Sequence, residues 1–190
     1  MKKELQENLF RKYPEFFEYL KKYENGPIMP MRFGFECNDG WYVIIDTLMN
    51  SIHKYINSKK DYPDTQIKSK FWMFMLPKVN HILRYRKFSY KLLNVFEKWL
   101  KKEVIPAPIV NVIQVKEKYG QLRVYIEGGD EYIDGMIALA EQLSSKTCEF
   151  CGRTENVGRT RSWIFTICKD CFDKGLINPT DWKLMENRAR

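Results

Sequence analysis

The fold is decided by two short stretches near the C-terminus, CEFCG at residues 148–152 and CKDC at residues 168–171. Sixteen residues separate the two CxxC pairs, and this spacing is typical of a tetrahedral zinc site. In each pair a tight turn places two sulfur atoms on one side of the backbone, and a glycine after the first pair permits a positive φ. The sequence predicts one zinc ion with four ligands, Cys148, Cys151, Cys168 and Cys171.

The expected role of this zinc is structural. Four thiolates complete the coordination shell, whereas a catalytic zinc keeps one position for water or substrate. The alternatives are a pair of disulfides, which requires export, and a thioredoxin-like redox motif, which requires a βαβ pattern, and the sequence shows neither. A closed site of four cysteines contributes on the order of 10 kcal/mol to the fold around it. We therefore predict a small zinc-ribbon module over residues 146–190.

Hydrophobic periodicity over residues 1–145 predicts a mostly helical body with one β-hairpin, so the fold class is α+β with the zinc module docked on the body. The hairpin covers residues 109–127 and turns at Tyr119 and Gly120. Residues 58–77 are expected to be a linker whose aromatic run, FWMFML at 71–76, packs in the core or contacts a partner protein. The predicted helices span residues 4–23 with a break at Pro14, 41–56, 78–103 and 131–144, and a last short helix begins near residue 178.

The net charge of +8 is unevenly distributed along the chain. Residues 61–105 carry ten basic and four acidic side chains, and residues 146–190 carry nine and six. Such asymmetry favours an anionic partner, although a solvated basic face is the plainer interpretation. Within the predicted helix over 78–103, five basic side chains fall on one face and could follow a phosphate backbone or line a pocket. These are Arg84, Lys87, Lys91, Lys98 and Lys102.

The zinc module adds further candidates for ligand binding. Arg153, Arg159 and Arg161 could contact phosphates, and the indole of Trp163 could stack on a base. Lone Cys37 precedes a predicted helix N-terminus, where a thiol pKa can be lowered, but a buried and inert cysteine is the interpretation that we favour.

Several classes of protein are disfavoured by the sequence. The N-terminus is polar and acidic where a signal peptide would be apolar, and the longest apolar run is far too short to cross a bilayer, so we expect a cytoplasmic protein without a membrane partner. The zinc deaminase, HNH nuclease and HExxH protease signatures all require histidines that are absent at the necessary positions. An enzymatic reaction is not identified, and a non-enzymatic function is favoured.

Three blocks together resemble an uncharacterised family of bacteriophage and prophage proteins. They are FGFECNDGWY at 33–42, QVKEKYGQLRVY at 114–125 and the two CxxC pairs. Gln121 stands where that pattern would have a second glycine. The resemblance implies a small phage protein that acts in the host cytoplasm on host machinery or host defence.

These observations combine into one functional hypothesis and two alternatives. The hypothesis is a zinc-binding protein that binds an anionic nucleotide-type ligand and sequesters a signalling nucleotide from host defence. The first alternative is a nucleic-acid-binding protein that uses the basic helix and the zinc module for DNA or RNA. The second is an inhibitor that binds a host protein. The sequence leaves open whether the chain forms a homo-oligomer.

Overall fold

The computed structural model of the chain describes residues 1–22, 29–63, 65–67, 78, 102–161, 163–177 and 182–184. The chain divides into two compact units, of which the first comprises Met1–Ile56 and Pro108–Arg190 and the second Asn57–Ala107. Helices and small antiparallel sheets are mixed along the chain, which agrees with the predicted class. Both sides of the predicted boundary at residue 145 belong to the first unit, and the separation of a body from a zinc module stays a prediction.

The N-terminal segment of the first unit is broken as predicted at Pro14. Helix α1 spans Lys3–Lys12, a 3-10 turn spans Pro14–Phe16, and helix α2 spans Glu18–Lys22. Proline lacks the N–H that a continuous helix would need and disfavours helical backbone in the residue before it. The break lets aromatic side chains turn inward, and Tyr13, Phe16 and Phe17 are all buried.

Helix α3 spans Tyr42–Asp61 and follows 3-10 turns at Pro30–Phe33 and Asp39–Trp41. Trp41 is wholly buried. The helix extends five residues beyond its predicted end, into the stretch expected to be a linker. Among the described helices, neither α3 nor any other is long and apolar enough to cross a membrane. The buried face of α3 consists of Ile45, Leu48, Met49, Ile52 and Ile56.

The predicted hairpin is present, with strand β3 at Val110–Lys118 and strand β4 at Gln121–Gly128. Its two-residue turn has positive φ at both positions, 54° at Tyr119 and 72° at Gly120. A bulge at Ile113 shifts the register. Because one extra residue reverses the alternation of faces, Val112 and Val115 are both buried, which a strict two-residue period does not predict.

Helix α4 spans Glu131–Ser144, as predicted, and packs on β4. The carboxylate of Asp130 caps it by accepting from the backbone N–H groups of Tyr132 and Ile133, each at 3.1 Å. Tyr132 and Leu143 of this helix are 62% and 51% exposed. They lie at the edges of the apolar arc, where a helical period alone does not decide burial.

A three-stranded antiparallel sheet with the order β6-β5-β7 completes the first unit. Strand β5 spans Val157–Thr160, β6 spans Thr166–Cys168, and β7 spans Trp182–Leu184, while helix α5 spans Lys169–Asp173. The helix expected to begin near residue 178 is wrong at 182–184, where the chain pairs with β5 instead.

Within the second unit, β1 at Thr65–Ile67 pairs with β2 at Lys102–Val104. The helix predicted over 78–103 is therefore wrong at its C-terminal end, and Lys102 lies on a strand. The sequence contains a reason, because Val104 and Ile105 are β-branched and the residue before Pro106 is driven to extended backbone. The other four basic residues predicted on one face of that helix lie outside the described part of the chain. These four residues are Arg84, Lys87, Lys91 and Lys98. The aromatic run at 71–76 also lies outside the described part.

Candidate metal centre

The four cysteines that the sequence selects come together in space. Their sulfur atoms all lie within 4.8 Å of one another, and the sulfurs of Cys151 and Cys168 are 3.6 Å apart. Tetrahedral coordination at a Zn–S distance of about 2.3 Å would put neighbouring sulfurs about 3.8 Å apart, so the observed arrangement fits one ion at its centre. All five cysteines of the chain are unbridged, and the disulfide alternative is not what the structure contains.

Backbone hydrogen bonds hold each cysteine pair in its turn. In the first pair the N–H of Cys148 donates to the carbonyl of Arg153 at 2.7 Å, and the N–H of Gly152 donates back to the carbonyl of Cys148 at 2.9 Å. Gly152 has φ of 78°, as this turn requires. In the second pair Cys168 ends strand β6 and Cys171 lies in helix α5. The β5–β6 pairing thus carries the second pair back to the first.

Burial and hydrogen bonding shift the pKa values of three of these thiols. Burial raises the pKa of Cys148 and of Cys171. Burial acts in the same direction on Cys151, but hydrogen bonds from the N–H of Arg153 and from the other cysteines outweigh it and lower the pKa of Cys151. A bound cation is the natural partner of four thiolates, because thiolate-metal bonding displaces the protons.

The N-terminal part of the chain packs directly on the first cysteine pair. The N–H of Gly40 donates to the carbonyl of Glu149 at 2.7 Å. A Cβ atom at Gly40 would lie 2.3 Å from the carbonyl oxygen of Cys148 and 2.5 Å from the nitrogen of Gly152, so only glycine fits. The indole N–H of Trp41 donates to the carbonyl of Thr147 at 2.9 Å.

Glu149, between the two cysteines of the first pair, is a buried carboxyl group. Its Oε1 atom accepts from the backbone N–H of Asn38 at 3.1 Å and from the side-chain amide at 2.9 Å. Its Oε2 atom has no partner among the described residues. Burial raises the pKa of Glu149 to about 7, against the hydrogen bonds from Asn38.

The ligand-binding residues predicted in the zinc module have unequal surroundings. Arg153 forms an ion pair with Asp170, which links the two cysteine pairs across the surface. Arg159 lies on β5, and its Nε atom is buried without a partner among the described residues. Arg161 is exposed after β5, and Trp163 on the same loop is 71% exposed. Lys102 belongs to the second unit.

Sequence reasoning missed the partners that support the centre. Gly40, Asn38 and the carboxyl of Glu149 surround the first cysteine pair, and a glycine in the loop before a helix was the one available signal. The interpretation of Cys37 as buried is confirmed, because the residue is 6% exposed. Burial raises the pKa of Cys37 to about 12, which makes it an unreactive thiol.

Replacing Gly40 with alanine should destabilise the protein and weaken metal retention, because the new methyl group overlaps backbone atoms on both sides of the first pair. We expect the free energy of unfolding to fall by about 2–4 kcal/mol, which is comparable to the effect of overpacking a core. Gly135→Ala is the control, since a Cβ there meets nothing within 4 Å and the residue lies inside α4. That variant should gain about 0.5–1 kcal/mol. Urea unfolding with saturating zinc measures both, and equal effects at the two glycines would contradict the packing described.

Glu149→Gln should change how stability depends on pH. The native carboxyl has a pKa of about 7 and the unfolded one about 4.5, so between these values the native state holds a proton that the unfolded state releases. The free energy of unfolding therefore falls as the pH rises through this interval. The difference in free energy of unfolding between the variant and wild type should therefore shift in favour of the variant by about 1 kcal/mol as the pH rises from 6 to 8. Thermal melts with excess zinc at the two pH values test this. Glu155→Gln, at an exposed position, is the control for removing a carboxylate, and a constant difference for Glu149→Gln would refute the expectation.

Comparison with known proteins adds no relative to this picture. The chain matches no family model, no curated protein and no solved structure. The resemblance to bacteriophage proteins accordingly stays a prediction. What is established at this centre is the geometry of its own residues, a cluster of four cysteines that can bind a metal ion.

Proposed function

We propose that the four cysteines hold one structural zinc ion and that residues 146–190 form a zinc-ribbon module around it. Four soft sulfur ligands in a tetrahedral arrangement favour zinc or an iron–sulfur centre. We favour zinc, because two CxxC pairs that are sixteen residues apart have the spacing that is typical of zinc sites. The proposed role of the zinc ion is to order the cysteine turns, and these turns support the loop that connects β5 to β6.

We further propose that the protein is a non-enzymatic binder of an anionic nucleotide-type ligand. The observation that carries this proposal is Trp163, whose large ring is 71% exposed on a loop with basic neighbours. The loop is anchored, because the Thr160 hydroxyl donates to the carbonyl of Trp163 and accepts from the N–H of Phe165. An exposed aromatic ring held in place beside cationic groups is the recurring means of binding a base with its phosphate.

The biological role that we propose is sequestration of a signalling nucleotide, which would counter a host defence pathway. Its support is the resemblance of three sequence blocks to phage proteins, together with the module's aromatic and basic loop. Nucleic acid is the competing ligand, and the net charge of +8 is the observation in its favour. A host protein as the bound partner is the remaining outcome if no nucleotide or nucleic acid binds.

Purified protein should contain one zinc ion per chain, measured by inductively coupled plasma mass spectrometry on protein prepared without chelator. Cys168→Ser should lower this to well below one, because three ligands do not close the site, and it should unfold the module rather than abolish a reaction. Cys37→Ala is the matched control and should keep full zinc. A stoichiometry near zero, or iron in place of zinc, would refute the assignment.

A panel of linear and cyclic nucleotides, titrated at low ionic strength by isothermal calorimetry, tests the ligand class. At least one nucleotide should bind, and Trp163→Ala should weaken it about 5- to 140-fold, the effect of one lost base stack. Phe33→Ala is the control, since that ring is 70% exposed outside the module.

Salt dependence separates a nucleotide from a polymer. For a single-stranded nucleic acid, a plot of log affinity against log salt concentration should have a slope of about −0.7 per phosphate contact. The affinity for a small stacked ligand should depend only weakly on salt concentration. Binding of single strands with a steep slope and no binding of nucleotides would replace the proposal with the nucleic-acid alternative.

A further inference from the structure

A cleft of about 370 Å³ opens between the tip of the β3–β4 hairpin and the loop before β6. Its lining residues are Glu117, Lys118, Tyr119, Trp163 and Ile164. The two aromatic residues come from opposite sides, one from the hairpin and one from the loop, and each is 71% exposed. The volume lies at the small end of the range of ligand pockets, which suits a single nucleotide rather than a longer ligand.

The floor of the cleft is tightly packed and held by hydrogen bonds. A Cβ atom at Gly120 would lie 2.9 Å from the Cγ2 atom of Ile164. The Thr166 hydroxyl donates to the carbonyl of Gly120 at 2.5 Å, and the Gly120 N–H donates to the Glu117 carboxylate at 2.5 Å. Both sides of the cleft are therefore fixed to one another before any ligand arrives, and less ordering is required on binding.

The backbone at Tyr119 is the second, independent sign of a site. Its φ of 54° lies in the left-handed region, and the first position of such a two-residue hairpin turn strongly prefers asparagine, aspartate or glycine. A tyrosine there is strained, and its exposed ring adds nothing to the core. Strain of this kind, kept together with an exposed aromatic ring, points to a role in binding.

Resting on the proposed nucleotide-binding function, we propose that this cleft holds the base of one free nucleotide between the rings of Tyr119 and Trp163. The ammonium of Lys118, 5.7 Å from the Tyr119 ring centre, lies where it can meet the phosphate. The Glu117 carboxylate can accept a hydrogen bond from a base N–H group and repels the phosphate. The orientation that follows places the base inside and the phosphate on the Lys118 side.

Tyr119→Asn tests this site with a variant that should fold well. Asparagine suits the positive φ, so the melting temperature should stay equal or rise, while loss of the ring should weaken nucleotide binding about 5- to 140-fold. Tyr119→Phe keeps the ring and should bind within about twofold of wild type. Tyr132→Ala removes another exposed ring and is the control that should leave affinity unchanged.

The probes are a set of nucleoside monophosphates and cyclic nucleotides, their parent nucleosides, pyrophosphate, and a single-stranded nucleic acid of eight nucleotides. Nucleosides should compete with the nucleotides and pyrophosphate should not. If wild type binds a nucleotide and Tyr119→Asn binds it equally, the cleft is refuted while nucleotide binding stands. Pyrophosphate competing as well as the nucleotide, or binding of the single strand alone, also overturns the cleft. If no probe binds, this inference and the proposed function fail together.

Discussion

The close contact between Gly40 and the first cysteine pair is the constraint on which the first unit depends. Residues from the N-terminal part of the chain and residues more than a hundred positions later meet there backbone to backbone. Because no side chain separates them, Trp41 reaches the carbonyl of Thr147 and Asn38 reaches the buried carboxyl of Glu149. The cysteine turns are thus part of the same packed structure as helix α3 and not a pendant segment.

Local patterns in the sequence were sufficient wherever a local force decides the structure. The break at Pro14 and the hairpin turn at Tyr119 and Gly120 are each set by residues within a few positions. The cluster of four cysteines was also predictable, because ligand spacing is a chemical requirement that survives without knowledge of the fold.

Long-range packing explains most of what could not be predicted. The bulge at Ile113 reverses the faces of β3, and no residue type in the strand announces it. The pairing of β2 with β1 turns Lys102 away from helical geometry, although the preceding sequence reads as a helix. The cleft beside Trp163 needs the hairpin tip and the loop before β6 to meet, and their contact at Gly120 and Ile164 spans more than forty residues. Hydrophobic periodicity does not predict contacts between residues that are far apart in the sequence.

The hydrogen bond from Trp41 to Thr147 also bears on how the chain folds during its synthesis. Its two residues are 106 positions apart, and chains emerge from the ribosome N-terminus first. The contacts of Trp41 and Gly40 with the first cysteine pair therefore cannot form until the cysteine turns have emerged. Contacts of this separation are slow to form because a long loop has to close. The N-terminal surface at Gly40 and Trp41 is therefore completed only after the metal-binding turns have been synthesised.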